Sequence, residues 1–268
     1  MTAVLRNVAP QLVSRKPLLS VSLAETEQEI VECQALRYQV FADEMNAYID
    51  TETPGLDRDR FDRYCQHLVV RNELTGQVIG TTRLLTSDDA SKAGLYYSET
   101  QFDLSAVRAN LSGRFMEIGR TCIHSEYRNG ATLAMLWQGI GRVTMEQDLD
   151  YLIGCASIPM DFGPEHVEAV MRMLRDKHMS PGDMRVQPYV SMPHHDGTRD
   201  VDVVLPPLLK GYLKQGAWIC GEAYYDAAFH VADVFVLLKR EQLAARYIRH
   251  FLKGTQTGCQ SQQVSFAS

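Results

Sequence analysis

From Leu23 onward, the apolar residues Ile30, Val31, Leu36, Val40, Phe41 and Met45 fall mostly at helical spacings, which predicts an amphipathic helix over 22–45. Ser22 and Glu25 have the spacing of a capping box at its start. After a loop of mixed charge, HLVVRNELTGQVIGTTRLL holds two β-branched runs on either side of Glu73–Gly76, the pattern of a hairpin. RFMEIGRTCIH reads as another strand, and YRNGATLAMLWQGIGRVTMEQDL as a helix interrupted only by Gly139 and Gly141. YLIGCAS returns as a buried strand. Pro164 then opens a helix running to Lys177, because proline is best tolerated in a helix's first turn. Residues 180–204, rich in Pro, Gly, Asp and His, make a long loop with a short strand near VQPYV. PPLLKGYLKQG is a short helix closed by Gly216, AWICGEAYY and VADVFVLL are strands, and a last helix is expected over 240–252. The sum is an α/β fold, a mixed central sheet flanked by helices.

No repeat, low-complexity linker or composition break divides this pattern, so one domain over 21–253 is expected. Residues 1–20 would be a flexible arm. The tail 254–268, GTQTGCQSQQVSFAS, has too few large apolar groups to offset its ordering entropy and is expected to be mobile. The N-terminus lacks the apolar run and small-residue cleavage site of a signal peptide. No segment approaches the roughly 20 apolar residues that cross a bilayer. With 268 residues, 45% of them hydrophobic, the chain can bury a substantial core. Its 33 acidic against 27 basic residues give a net charge of −6, which speaks against a broad nucleic-acid surface. Cys33, Cys65, Cys122, Cys155, Cys220 and Cys259 stand singly, without CxxC pairs or zinc-like Cys/His spacing. They are expected to be reduced thiols of a cytoplasmic protein. His194 and His195 point apart on an extended chain and have no evident third ligand, so no metal is expected.

Four local patterns carry candidate chemistry. LRYQVFADEM places Arg37 and Phe41 four residues apart on one helix face, and LDRDRFDRYCQHLVV holds Asp57, Asp59, Asp62 and His67. TTRLL contains Arg83, and MEIGRTCIH contains Glu117 and Arg120. In order and spacing, the first half of the chain resembles the acyl-homoserine-lactone synthases. Their signature is an Arg/Phe helix, a D-x-x-D element (here Asp59 and Asp62), an arginine ending the next strand pair, and an E-x-x-R strand. That resemblance implies a GNAT-like, autoinducer-synthase-like acyltransferase fold.

Across nearly the whole core, EIGRTCIHSEYRNGATLAMLWQGI, PPLLKGYLKQGAWICGEAYYD, FHVADVFVLL and ARYIRHFL are similar to the bacterial L-ornithine N(alpha)-acyltransferases of ornithine-lipid synthesis. This similarity implies transfer of a 3-hydroxy fatty acyl group from acyl carrier protein to the α-amine of L-ornithine, giving a lyso-ornithine lipid. The implied partners are acyl carrier protein, L-ornithine and the fatty acyl chain. No bound cofactor is implied, since the phosphopantetheine thioester of acyl-ACP is itself the donor substrate. Other readings are acylation of a different amino acid such as tyrosine, lactone synthesis from S-adenosylmethionine, and a non-catalytic module that binds carrier protein or lipid.

Each residue has a bland reading beside its chemical one. An attacking amine must be neutral, and Glu117 is the candidate to take its proton, directly or through water. Arg120 is placed with it in the catalytic set, although strand alternation points the two to opposite faces unless a bulge intervenes. Arg37, Phe41, Asp59, Asp62 and Arg83 are expected to bind substrate, or to form an ion-pair network holding the sheet to the acidic loop. Arg128 and Gly130, at a helix start, are expected to hold the phosphate end of the donor arm. The loop nevertheless departs from the GNAT pyrophosphate pattern: one residue separates Arg128 from Gly130, and Thr132 stands where Gly or Ala is usual. His67 is a satisfied strand-start histidine or a proton carrier. No G-x-S-x-G elbow is present and Cys122 with His124 makes no convincing thiolate pair, so direct transfer is expected. Leu208, Leu209, Tyr212 and Leu213, beside Lys210 and Lys214, make either a surface for peripheral contact with the inner membrane or part of the core.

Overall fold

The computed structural model describes residues 18–193 and 202–243. The chain runs β1 (Leu19–Leu23), α1 (Glu27–Tyr38), a π-helical stretch (Gln39–Glu44), β2 (Gln66–Asn72), β3 (Gln77–Thr86) and α2 (Ser87–Ala93). It continues through β4 (Phe102–Asp103), α3 (Ser105–Asn110), β5 (Phe115–Ile123), α4 (Gly130–Glu146), β6 (Tyr151–Pro159) and α5 (Pro164–Lys177). β7 (Gln187–Pro188), α6 (Pro207–Gln215), β8 (Trp218–Ile219), β9 (Tyr224–Asp226) and β10 (Val231–Lys239) follow. Among the described residues, eight strands form one sheet in the order β1-β2-β3-β5-β6-β10-β8, with β9 also paired to β10. Within it, only β5 and β6 run parallel.

The hairpin, the strand–helix–strand unit of β5, α4 and β6, and the helix from Pro164 to Lys177 lie where the hydrophobic pattern places them. The first helix does not begin at Ser22. Leu19, Val21 and Leu23 alternate with serines, and this period of two makes β1, with Ser22 opposite Val69 and Leu23 opposite Leu68. Helix α1 starts after Thr26, whose hydroxyl accepts from Glu29 N while Glu29 accepts from Thr26 N, both at 3.2 Å. The capping box is thus Thr26/Glu29, not Ser22/Glu25. β1 also takes in Leu19 and Ser20, which the N-terminal arm was expected to hold. AWICGEAYY is two short strands rather than one, because the chain leaves β10 between Ile219 and Tyr224. The last helix starts at Arg240 as expected. Its residues after 243, the tail with Cys259, residues 1–17 and the His194–His195 pair lie outside the described residues.

Helices α4, α5 and α6 cover one face of the sheet. Leu136, Ile140, Val143, Val167, Val170 and Leu174 pack there against Leu68, Ile118, Leu152 and Val234. Each fully buried aliphatic side chain contributes about 1.5–3 kcal/mol. Gly139 has a packing reason to interrupt α4: a Cβ there would fall 2.6 Å from Leu68 Cδ2, so glycine lets the helix lie close on β2. Leu209 and Tyr212 of α6 are buried in the same core, with Leu208 and Leu213 packed against it. The apolar side of α6 therefore faces inward, and the exposed membrane-facing surface considered from sequence is not formed. Among the described residues, no helix is long and apolar enough to cross a membrane.

Two smaller cores sit on the opposite face. α1 and the π-helical stretch place Cys33, Leu36 and Val40 on Val69, Val78 and Cys122. Beneath α2 and α3, Ala90, Phe102 and Val107 pack with Leu85, Ile153 and Phe235. The polar residues of the candidate site fill the seam between these two cores.

Candidate active site

β5 and β6 pair from Phe115↔Tyr151 to Ile118↔Gly154, and the pairing stops there although both strands run on to Ile123 and Pro159. Gly154 allows the close approach at that point, since a Cβ would lie 2.3 Å from Ile118 O. Beyond it the two strands part. On its other edge β5 bulges: Gly119 opposes Arg83 and Cys122 opposes Thr81, so β5 spends one more residue than β3. Arg120 sits in this bulge with φ +49°, a left-handed conformation that costs a non-glycine residue about 1–3 kcal/mol. The bulge breaks the strand alternation and brings Arg120 to Tyr97, the residue whose N–H also meets Glu117.

Three arginines and three aspartates close a ring of ion pairs. Arg37, from α1, meets Asp57 at 2.9 Å and Asp62 at 2.8 Å. Arg83, from β3, meets Asp62 at 3.1 Å and Asp59 at 2.7 Å. Arg120 completes the circuit, at 3.6 Å from Asp59 and 3.2 Å from Asp57. Each carboxylate bridges two guanidiniums, which compensates charges that would be costly to bury singly. Burial alone would push the Asp62 carboxyl up, but Arg37 and Arg83 outweigh it and hold the carboxyl below the usual range. His67 lies behind Asp62, its Nε2 3.7 Å from Oδ1; burial and Arg37 lower its pKa, so the imidazole is neutral at pH 7. The acidic loop is thus locked onto α1, β3 and β5, the arrangement of the ion-pair network considered from sequence. Asp57, absent from the expected substrate-binding set, holds two of the three arginines.

Glu117 is 3% exposed and makes no ion pair with Arg120. Its carboxylate accepts from Tyr97 N at 2.6 Å, from Ser98 N at 2.7 Å and from the Ser98 hydroxyl. It thereby caps the short 3₁₀ turn Tyr97–Thr100. Burial raises its pKa, and the hydrogen bonds from Ser98 and Tyr97 pull it back. Arg120 lies between two rings, 4.9 Å from the centroid of Tyr97 and 4.9 Å from that of Phe229. Phe41, in the π-helical stretch, meets Phe229 edge-on at 5.7 Å and so reaches Arg120 only through that ring.

At the start of α4, Arg128 pairs with Glu44 and donates to Ile123 O at 3.0 Å. Asn129 Oδ1 accepts from Ala131 N and Thr132 N at 3.0 and 3.2 Å. Two of the N–H groups expected to meet a phosphate are therefore already capped, whereas the space beside Gly130 is open. Cys122 is buried and Cys155 half-buried, and desolvation raises both thiol pKa values and leaves them poor nucleophiles. The five described cysteines are free. Among the described residues, no group of three or more His, Cys, Asp or Glu side chains is arranged to hold a metal ion.

A second polar cluster stands on the β6–β10 side of the parting, and nothing in the sequence reading pointed to it. Asp233, on β10, is opposite Ser157 of β6 and accepts its hydroxyl at 2.6 Å. Gln101 Nε2 donates to Asp233 at 2.9 Å and to Asp226 at 3.1 Å. Asp226 also accepts from Ala228 N and Phe229 N at 3.0 and 3.1 Å, fixing the turn that carries Phe229 onto Arg120. The available signal was a lone Asp inside the apolar run VADVFVLL. On the same sheet face, a cleft of about 490 Å³ opens among Ser87, Tyr96, Leu104, Val107, Phe115 and Ile153.

Residues 36–138 match the acetyltransferase (GNAT) domain family, a span that contains the whole arginine–aspartate ring. The chain is 34% identical over 259 residues to an L-ornithine N(alpha)-acyltransferase of Agrobacterium fabrum, covering 90% of this chain and 87% of that protein. It is 32% identical over 272 residues to an L-ornithine N(alpha)-acyltransferase of Rhizobium meliloti, covering 96% and 91%. In fold it is similar to the CoA-dependent acyl-homoserine lactone synthase BjaI. The TM-score is 0.52 at 13% identity, over 87% of this chain and 89% of that one.

Proposed function

We propose that this chain, which belongs to the L-ornithine N(alpha)-acyltransferase family, moves a 3-hydroxy fatty acyl group from acyl carrier protein to the α-amine of L-ornithine. The observation that carries the acyl-transfer part is the parting of β5 and β6 beside the Arg120 bulge. Two strands that stop pairing leave backbone N–H and C=O groups free to meet the amides of an extended phosphopantetheine arm, as an added strand would. The space beside Gly119, the first residue past the last β5–β6 pair, is open. The acyl chain then follows the apolar side of the sheet toward the cleft at Phe115 and Ile153.

In the reaction, the neutral amine nitrogen attacks the thioester carbonyl, the C–N bond forms, the C–S bond breaks, and the thiolate leaves and is protonated. The thioester itself supplies the leaving group, so the chemistry asks for no metal or prosthetic group. Arg120, clamped by Tyr97 and Phe229, is assigned to hold charge at the reacting end, with the ring fixing its position. Glu117 fixes the Tyr97 turn against Arg120. Any proton transfer to its carboxylate passes through the Ser98 hydroxyl, which already occupies it. Arg37, Asp59, Asp62 and Arg83 act by holding that frame, and Phe41 by supporting Phe229.

The test offers the purified chain a 3-hydroxyacyl carrier protein with ornithine, lysine, tyrosine and S-adenosylmethionine as parallel acceptors, products being read by mass spectrometry. Acylated ornithine as the main product supports the reading. Acylation of another acceptor instead overturns it.

A further inference from the structure

We propose that Asp233 and Asp226, bridged by Gln101, form the subsite that receives the side-chain ammonium of the amino-acid acceptor and so favour a dibasic acceptor over a neutral one. The inference rests on the ornithine reading and names the residues that carry its acceptor choice. Asp233 is 5% exposed, Asp226 9% and Gln101 2%. Among the described residues, no lysine or arginine pairs with either carboxylate, in contrast to the ring, where every carboxylate bridges two arginines. Arg120 attracts Asp233 only from beyond ion-pair distance, and two carboxylates buried side by side without a paired cation have a place for positive charge.

The geometry suits an ammonium in particular. Gln101 gives its amide nitrogen to both carboxylates, while its Oε1 is buried and has no hydrogen-bond partner. Asp233, Asp226 and Gln101 Oε1 thus offer three acceptors, and a primary ammonium carries three donors. Burial raises the Asp233 carboxyl to about 6, against the pull of the Ser157 and Gln101 hydrogen bonds and of Arg120. Ser157, which donates to Asp233, is exposed on β6, so the cluster lies one side chain from solvent. Phe229 joins it to the reacting end, its N–H on Asp226 and its ring on Arg120.

The experiment compares wild type and Asp233→Asn with two acceptors of equal carbon count, ornithine and 2-aminopentanoate, which lacks the side-chain amine. The expected result is a strong preference of wild type for ornithine. In Asp233→Asn, KM for ornithine should rise at least tenfold, with kcat changed less than threefold and the 2-aminopentanoate rate within twofold of wild type. Retained turnover of the neutral acceptor shows that the variant is folded. An unchanged ornithine KM in Asp233→Asn overturns the subsite while leaving the ornithine reading intact, and so does an equal loss on both acceptors in that variant. A wild type that acylates 2-aminopentanoate as readily as ornithine overturns subsite and reading together.

Discussion

Arg120, in the β5 bulge, meets Asp57, in the loop before β2, at 3.2 Å, and this contact closes a ring that also holds Arg37, Arg83, Asp59 and Asp62. The ring converts a charged surface loop into a fixed wall of the site. Removing one member leaves each of its two buried partners with one counter-charge in place of two.

Asp57→Asn is therefore expected to destabilise the fold by about 3–5 kcal/mol, the usual cost of breaking a buried ion pair from one side. Urea unfolding of the variant beside wild type measures it. A loss below about 1 kcal/mol would mean that the ring bears no weight.

Arg120→Lys keeps the charge but loses the planar group that lies between Tyr97 and Phe229 and reaches two aspartates. Turnover is expected to fall on the order of 10²-fold, as for a misplaced reacting group, with a smaller change in melting temperature. Steady-state rates and thermal melts on the same preparation separate the two effects.

Glu117→Ala deprives Tyr97 N, Ser98 N and the Ser98 hydroxyl of their acceptor. The expected loss is about 2–4 kcal/mol of stability, together with reduced turnover, because hydrogen bonds to a charged group each contribute about 1.5–3 kcal/mol. Turnover that falls while stability is unchanged would instead give Glu117 a direct part in proton transfer.

Asp233 sets a pH dependence. Burial lifts its folded-state pKa to about 6, above the ordinary value of 3.8, so between these values the folded protein binds more protons than the unfolded chain. Stability contributed by this group therefore falls as pH rises through that window, by about 3 kcal/mol in all. Glu117, also raised, adds in the same direction, whereas His67, lowered, opposes it between pH 7 and pH 5, and Asp62, lowered, opposes it in stronger acid. Asp233→Asn is expected to shift the difference between the melting temperatures at pH 5 and pH 7, measured without substrate, in favour of pH 7 relative to wild type.

What was legible in the sequence followed from local rules. Proline in a first turn placed α5, a Gly-containing turn between β-branched runs placed the hairpin, and the order of charged residues put five of the six ring members, all but Asp57, in the expected site. The start of α1 was misplaced because serines at 20 and 22 serve equally as outward positions of a strand and as a helix cap, and only pairing with β2 decides between them. The Glu117–Arg120 relation turned on one bulged residue, which strand alternation cannot reveal. Gln101, Asp226 and Asp233 were invisible because they are distant in sequence and meet only where β10 lies against β6 and β9.

The central claim is the acylation of one particular nitrogen, and tandem mass spectrometry of the product from 3-hydroxyacyl carrier protein and L-ornithine tests it most directly. The expected result is an acyl group on the α nitrogen with the side-chain amine free. An acyl group on the side-chain nitrogen, or no acylated ornithine while another amino acid is acylated, would contradict it.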